Sequence, residues 1–371
     1  MKKIFVIAGE ASGDLHGSNL IKSLREISPA PLEIHGIGGE KIKETGALGF
    51  FDLARLSVTG LTEAVRRLSQ YQEASKIILN KIKAARPNLV VLIDNPGFNL
   101  HLAQKTYSLD IPIAYYIAPQ IWAWAPKRIL KIKKYVKKVL VVFEFEKKIY
   151  EDHGVPVAWV GHPLKDLISN TKAVLKNHMG PLVSLLPGSR KGELKMLFSI
   201  FAKAAKIISE KVPYTRFSLI KSPTLSKEFY NRLIKENGVE CSLVEENSYG
   251  VIESSDLAIV CSGTATLECA LLGTPMIISN KGSFLTYIAV KSLIRVPFLG
   301  LPNLILGEKK FPELLQYDAT PEKIAKEAIK ILTQKNVEET MKKDLKKVSA
   351  KLGEAGANKR AAEEILKMLR N

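Results

Sequence analysis

Ser262, Gly263, Thr264 and Glu268 are spaced along Cys261-Ser262-Gly263-Thr264-Ala265-Thr266-Leu267-Glu268 as residues that could hold a nucleoside diphosphate. The apolar run 257–261 has the length and composition of a strand buried on both faces, and Ser262-Gly263-Thr264 breaks it with turn residues. Helix-favouring residues follow from Ala265 to Leu272, so the free N–H groups and positive dipole end of a first helical turn would face the diphosphate. Glu268, one turn in, could accept hydrogen bonds from ribose hydroxyls. An ordinary strand-to-helix connection with a solvated Glu268 fits the same residues, so this segment alone leaves both readings open. Leu185-Leu186-Pro187-Gly188-Ser189-Arg190 repeats the pattern. Arg190 carries a fork of donors that matches phosphate oxygens and could offset leaving-group charge; it could equally pair with a surface carboxylate.

The first half of the chain offers a second set. Gly9-Glu10-Ala11-Ser12-Gly13-Asp14 follows an apolar run and opens a helix, with His16 just beyond it. It departs from G-x-G-x-x-G, and no acidic residue is clearly placed after a second strand, which disfavours a dinucleotide-dependent oxidoreductase. Asp94 ends the run Leu89-Val90-Val91-Leu92-Ile93 ahead of Asn95-Pro96-Gly97. There a carboxylate could serve as a base or simply stabilise a turn. The 6 histidines show no metal-ligand spacing and no D-x-D element is present, so leaving-group stabilisation is expected from Arg190 and helix termini, with no metal and no cofactor.

Positioning these groups needs strands alternating with helices, the pattern of doubly wound parallel sheets. Strand-like runs fall at 4–8, 32–37, 89–93, 113–117 and 139–142, then at 182–186, 216–220, 242–244, 257–261 and 276–278. The stretch between Gly161 and Pro181 lacks such a run and carries turn residues, which places the hinge there. The expected organisation is an α/β domain over 1–165, completed by a C-terminal helix at 353–371, and a second α/β domain over 166–352. At 371 residues with 46% hydrophobic content the chain suits two globular cores. Its 3 cysteines form no C-x-x-C pair, which fits a reducing compartment. The apolar N-terminal run is too short for a signal peptide, and none reaches the roughly 18 residues of a membrane span.

Several ordered motifs, namely GEASGD, IAPQIWAWAPKR over 117–128, LLPGSR, SGTATLE with GTPM, and LPN followed by PELLQ, together resemble the lipid-A-disaccharide synthase family from Gly9 to Ala362. The resemblance implies a GT-B architecture, two Rossmann-like domains facing a cleft. It implies an inverting glycosyltransferase that joins UDP-2,3-diacylglucosamine to 2,3-diacylglucosamine 1-phosphate, giving a β-1′,6-linked disaccharide 1-phosphate and UDP for lipid A and lipopolysaccharide. Carried over residue by residue, it puts UDP against Gly188, Ser189, Arg190, Ser262, Gly263, Thr264 and Glu268. It puts Asp94 at the acceptor as general base, with Glu10 or His16 as the alternative, and Asn303, Glu313 and Gln316 against the sugars. Gly97 stands where D-x-P-D-F-N has its second Asp, leaving Asp94 as the only carboxylate of that motif. Asn280 also stands where the family has Tyr.

The formal net charge of +18 suits nucleic acid, an anionic membrane or a phosphorylated substrate. Aromatic residues make up only 7% and no recognition module is visible, so nucleic acid is not the expected partner. Lys127, Arg128, Lys131, Lys133, Lys134, Lys137 and Lys138 form a basic segment that could meet an anionic cytoplasmic leaflet, or a solvated helix face over buried Ile129, Ile132 and Val136. The apolar stretch 284–301 could contact acyl chains or pack as core. The expected location is therefore cytoplasmic and peripheral on the inner face of the inner membrane, with a homodimer left open. The competing readings are another UDP-N-acetylglucosamine enzyme of the same fold, such as a 2-epimerase or an undecaprenyl-linked glycosyltransferase, and a UDP-sugar-binding regulator without turnover.

Overall fold

The computed structural model describes residues 1–53, 64–123, 125–169, 180–223, 225–282 and 296–370. Trp124, most of the stretch 284–301 and part of the expected hinge lie outside them. The chain divides into two compact units, Met1–Asp166 with Leu352–Asn371, and Leu167–Lys351.

In the first unit, β1 (Lys2–Ala8), β2 (Leu32–Gly38), β3 (Leu48–Asp52), β4 (Leu89–Ile93), β5 (Ile113–Tyr116), β6 (Lys138–Val141) and β7 (Val157–Trp159) form one sheet. Its order is β3-β2-β1-β4-β5-β6-β7, and every pairing is parallel. The reason is legible in β4. All five of its side chains are buried because helices cover both faces, and burying each Leu, Val or Ile contributes about 1.5–3 kcal/mol. One face of the sheet, with Phe5, Ile7, Val90, Leu92 and Tyr115, joins Ile78, Ile82, Leu102, Ile129 and Ile132 in a single core. From the other face the Tyr116 hydroxyl donates to Asn358 Oδ1 at 3.2 Å, on the last helix, Ala357–Arg370.

That last helix belongs to the first unit because its packing, its cap and one arginine also fasten it there. It buries Ala361, Ala362, Ile365, Leu366 and Leu369 along one stripe and packs against the helix Ala11–Ile27. Asp166 caps its start, accepting from the backbone N–H groups of Gly356 (2.5 Å), Ala357 (3.2 Å) and Asn358 (3.1 Å). The Arg360 guanidinium donates to the carbonyls of Val160, Glu354 and Ala355 at 2.8, 2.6 and 2.8 Å.

The second unit repeats the plan with β8 (Leu182–Leu186), β9 (Arg216–Ile220), β10 (Ser242–Val244), β11 (Leu257–Cys261), β12 (Met276–Asn280) and β13 (Glu313–Leu315), ordered β10-β9-β8-β11-β12-β13 and all parallel. In each sheet the strand order reverses direction once, between β1 and β4 and between β8 and β11. Open parallel sheets bind ligands outside the carboxyl ends of strands at such a switch point. The register pairs Ala8 with Ile93 and Leu186 with Val260, so the segments that follow these residues are neighbours.

Candidate functional site

At the first switch point the chain leaves β4 through two residues in the left-handed region, Asp94 (φ 49°) and Asn95 (φ 42°). Asp and Asn tolerate this conformation best after glycine, yet each such residue still costs of order 1 kcal/mol, so surrounding bonds must hold it. Tyr115 Oη donates to the Asp94 carbonyl at 2.6 Å, and Asn99 Nδ2 to the carbonyls of Asp94 (2.8 Å) and Ile93 (3.0 Å). The Asp94 N–H donates to the Tyr116 carbonyl at 3.1 Å. Gly9 makes room for the turn, since a Cβ there would lie 2.2 Å from Asn95 Nδ2.

The Asp94 carboxyl is thereby held beside Glu10, the exposed residue that precedes the helix Ala11–Ile27. Burial, and then the charge of Glu10, raise its pKa to about 6. Next to it Asn95 Nδ2 and Asn99 Oδ1 are buried without a hydrogen-bond partner. Asp94 and Glu10 are therefore brought together. His16 is placed differently: burial lowers its pKa to about 4, its electrostatic neighbours are Asp166 and His162, and its Nδ1 has no partner. Asp14, from the same Gly-rich motif, is a fastener. Its carboxylate accepts from the N–H groups of Gly39, Lys41 and Ile42 at 2.7, 3.0 and 3.0 Å, capping the helix Glu40–Glu44.

At the second switch point Gly188 (φ 108°) precedes exposed Ser189 and Arg190, and Arg190 opens the helix Lys191–Lys211. Beside them Gly263 (φ 151°) opens the helix Thr264–Leu272, whose start carries no side-chain cap. Thr266 closes that turn, donating from N (3.1 Å) and Oγ1 (2.7 Å) to the Gly263 carbonyl. Both Arg190 and Glu193 act electrostatically on Cys261, so the two strand ends share one electrostatic environment. Glu268 is tucked beneath, accepting from Tyr249 Oη at 3.3 Å, and burial raises its pKa. An uncapped helix start, an exposed guanidinium and a carboxyl one turn deeper can take an anion with a polar appendage.

The expectation that Asn303, Glu313 and Gln316 contact sugars meets a different arrangement. Asn303 is fully buried: Nδ2 donates to Phe311 O (2.9 Å) and Glu313 Oε1 (2.7 Å), and Oδ1 accepts from the N–H groups of Lys310 and Phe311 (2.8 Å each). All four of its hydrogen-bonding positions are used. Glu313 accepts from the N–H groups of Leu299 (3.1 Å) and Gly300 (3.0 Å), and Ser262 Oγ donates to Leu299 O at 2.7 Å. Gln316 takes the Gly282 N–H at 3.4 Å. Asn303 and Glu313 hold the loop against which Ser262 is set. A polar side chain surrounded by backbone partners looks the same in sequence as one facing a ligand, and only the fold separates them.

Over the basic segment, Ile129, Ile132 and Val136 are buried as the solvated-face reading requires, while Leu130 stays 68% exposed on the helix Arg128–Tyr135. The half-exposed Tyr107 ring packs edge-on to Tyr135 at 5.5 Å, and Lys134 lies over Tyr135. Among the described residues no helix is long and apolar enough to cross a membrane, and no group of three His, Cys, Asp or Glu side chains converges as a metal site.

Comparison with known proteins adds independent findings. A family model described as lipid-A-disaccharide synthetase matches residues 4–367. The lipid-A-disaccharide synthase of Geobacter metallireducens is 37% identical, covering 99% of this chain and 97% of that protein. Lipid-A-disaccharide synthase 1 of Legionella pneumophila is 38% identical over 96% of this chain and 94% of that protein. Among solved structures, the S. aureus MnaA–UDP co-structure superposes with a TM-score of 0.68 at 12% identity, covering 100% and 97% of the two chains. The UDP-GlcNAc 2-epimerase from Neisseria meningitidis bound to UDP-GlcNAc gives 0.68 at 11%, covering 98% and 100%. Spinosyn forosaminyltransferase gives 0.63 at 10%, covering 100% of each. At these identities the structural likeness speaks for the fold alone.

Proposed function

The chain belongs to the lipid-A-disaccharide synthase family, and from that premise we propose which residues carry its reaction. It is a glycosyltransferase of the GT-B fold. Its reaction is transfer of 2,3-diacylglucosamine from UDP to the 6-hydroxyl of 2,3-diacylglucosamine 1-phosphate, forming the β-1′,6-linked disaccharide. The observation that carries our assignment is the Asp94 turn: a carboxyl raised to about 6 beside Glu10, held in a left-handed turn at the switch point of the first sheet.

Asp94 takes the 6-hydroxyl proton as the new bond forms, which asks less of a carboxylate than prior deprotonation. With its pKa near 6 it is a stronger base than an ordinary carboxylate and is still ionised at neutral pH. Asn95 Nδ2 supplies an unused donor for an acceptor oxygen beside it. Attack opposite the departing UDP inverts the anomeric centre. In the second unit Gly188, Ser189, Arg190, Ser262, Gly263 and Thr264 hold the diphosphate, and Arg190 with the start of the helix Thr264–Leu272 offsets its growing charge. Glu268 takes the ribose hydroxyls. Asn303 and Glu313 act through the loop they hold, and Gln316 takes the sugar-contact role.

For the lipid substrates, Leu130 and Tyr107 offer exposed apolar surface among Lys127, Lys131 and Lys134, suited to peripheral contact with an anionic leaflet at about 1 kcal/mol per basic residue. Sedimentation with vesicles containing anionic lipid should show binding that weakens as salt rises and that falls with Leu130→Glu. The chemistry is tested by incubating purified protein, with EDTA present, with UDP-2,3-diacylglucosamine and the 1-phosphate acceptor. Disaccharide by mass spectrometry with matching UDP release is the expected result. A 2-epimerase of this fold would instead change the donor sugar and need no acceptor.

A further inference from the structure

The stretch after β5 contributes a sequence motif to the family resemblance yet has no role in the reaction as assigned above. It leaves the sheet through Ile117 at φ 53°, directly beside the Asp94 turn, which Tyr115 and Tyr116 hold through hydrogen bonds to Asp94 backbone atoms. Two side chains one turn apart on the helix Glu144–Asp152 fasten it. Tyr150 Oη donates to Pro119 O at 2.9 Å, and the Trp122 indole N–H donates to Glu146 Oε1 at 2.9 Å. The Trp122 ring packs against Phe145 and Phe143, with centroids at 5.1 and 6.5 Å. Glu146 is 1% exposed, and its other oxygen accepts from the Phe143 N–H at 3.2 Å.

We propose that Glu146 is a positioning residue whose carboxylate pins the Trp122 loop against the Asp94 turn, fixing the geometry in which Asp94 meets the acceptor hydroxyl. This rests on the reading of Asp94 as base. Two donors converge on Glu146, one on each oxygen, an arrangement that the ionised carboxylate accepts most strongly. A proton on either oxygen makes the acid a weaker acceptor than the carboxylate, so the bonds to it loosen. Burial raises the Glu146 pKa to about 7, with hydrogen bonds from Trp122 and from the Phe143 and Val142 backbone opposing that rise, so the clamp tightens as pH increases through neutrality. The titratable groups facing it are neutral there. Tyr150 on its own helix is raised further above its usual range by burial and by Glu146, and His162, beyond the Phe143 ring at 5.4 Å, is lowered by burial to about 3.

The test follows the Trp122 indole N–H resonance of the full-length protein by NMR between about pH 5 and 9, assigned by its loss in Trp122→Phe. The expected inflection lies near 7 in the wild type and is absent in Glu146→Gln. Tyr150→Phe, which removes only the Pro119 contact, should keep it. Glu146→Gln and Trp122→Phe should each lower kcat by about ten- to a hundredfold with UDP affinity unchanged, and the double variant should be no worse than either. A Trp122 resonance that does not titrate, or titrates alike in Glu146→Gln, overturns the clamp. Normal kcat in both variants overturns its positioning role. Absence of disaccharide with wild-type protein would count against the reaction assignment, while the indole titration would still decide whether the clamp exists.

Discussion

Asp94 illustrates how a residue gains chemistry from its surroundings. Its turn strains the backbone, its burial raises the carboxyl, and Glu10 adds repulsion that raises it further. Removing that repulsion should have a definite sign: Glu10→Gln lowers the Asp94 pKa, so the acid limb of the rate profile should move to lower pH. A limb that stays or moves upward would show that Glu10 does not act on the base. Gly9 makes a second prediction. A methyl group there collides with the Asn95 side chain, so Gly9→Ala should destabilise the protein by about 1–3 kcal/mol in urea unfolding. Adding Asn95→Gly, which keeps the left-handed turn and clears the space, should recover most of that loss. The placement of Asp94 and Arg190 just beyond strand ends was legible because an apolar run followed by turn residues marks such an end. The scaffold role of Asn303 and Glu313 was not, because their partners are backbone atoms brought in by a loop.

At the scale of elements, the clearest strands in the sequence are those buried on both faces, although the short edge strand β10 was visible too. β4 and β11 are uninterrupted apolar runs, β8 is broken only by Ser184, and every residue of the three is buried. β3, β7 and β13 lie at sheet edges, are only partly buried, and carry no such run, so the alternation of helix and strand gave no sign of them. The cap that Asp166 places on the last helix is equally invisible, since the partners are about 190 residues apart. Asp166→Ala should cost at least about 2 kcal/mol of stability while leaving UDP affinity unchanged, because the proposed nucleotide residues belong to the other unit. Stability should also depend on pH in two opposing ways. The raised carboxyls of Asp94 and Glu146 contribute stability that is full below their unfolded pKa and lost as pH rises through about 6 and 7. The lowered His16 and His162 contribute stability present above about 6.5 and lost as pH falls through about 4 and 3. Unfolding free energies of wild type and Glu146→Gln should therefore diverge between about pH 4.5 and 7, the wild type losing ground, by about 1.4 kcal/mol per unit of displacement.

For the whole molecule, two parallel sheets with the same order around their switch points each place one group of proposed reactive residues at neighbouring strand ends. Sequence motifs spread over nearly the full length identified the family, and relatives 37–38% identical across the chain agree. Fold likeness alone would not have separated a transferase from an epimerase, since both occur among the structures that superpose. The reaction turns on one proton, so the most direct measurement is the pH dependence of disaccharide formation by wild type and Asp94→Asn, with both substrates saturating. The wild-type rate should rise through about pH 6 as Asp94 ionises and level off only above about pH 7, once Glu146 is ionised as well, and Asp94→Asn should lose the limb near 6 and about 10²–10⁴-fold in rate while remaining folded. A folded Asp94→Asn protein with near-normal turnover and the same acid limb would contradict the account.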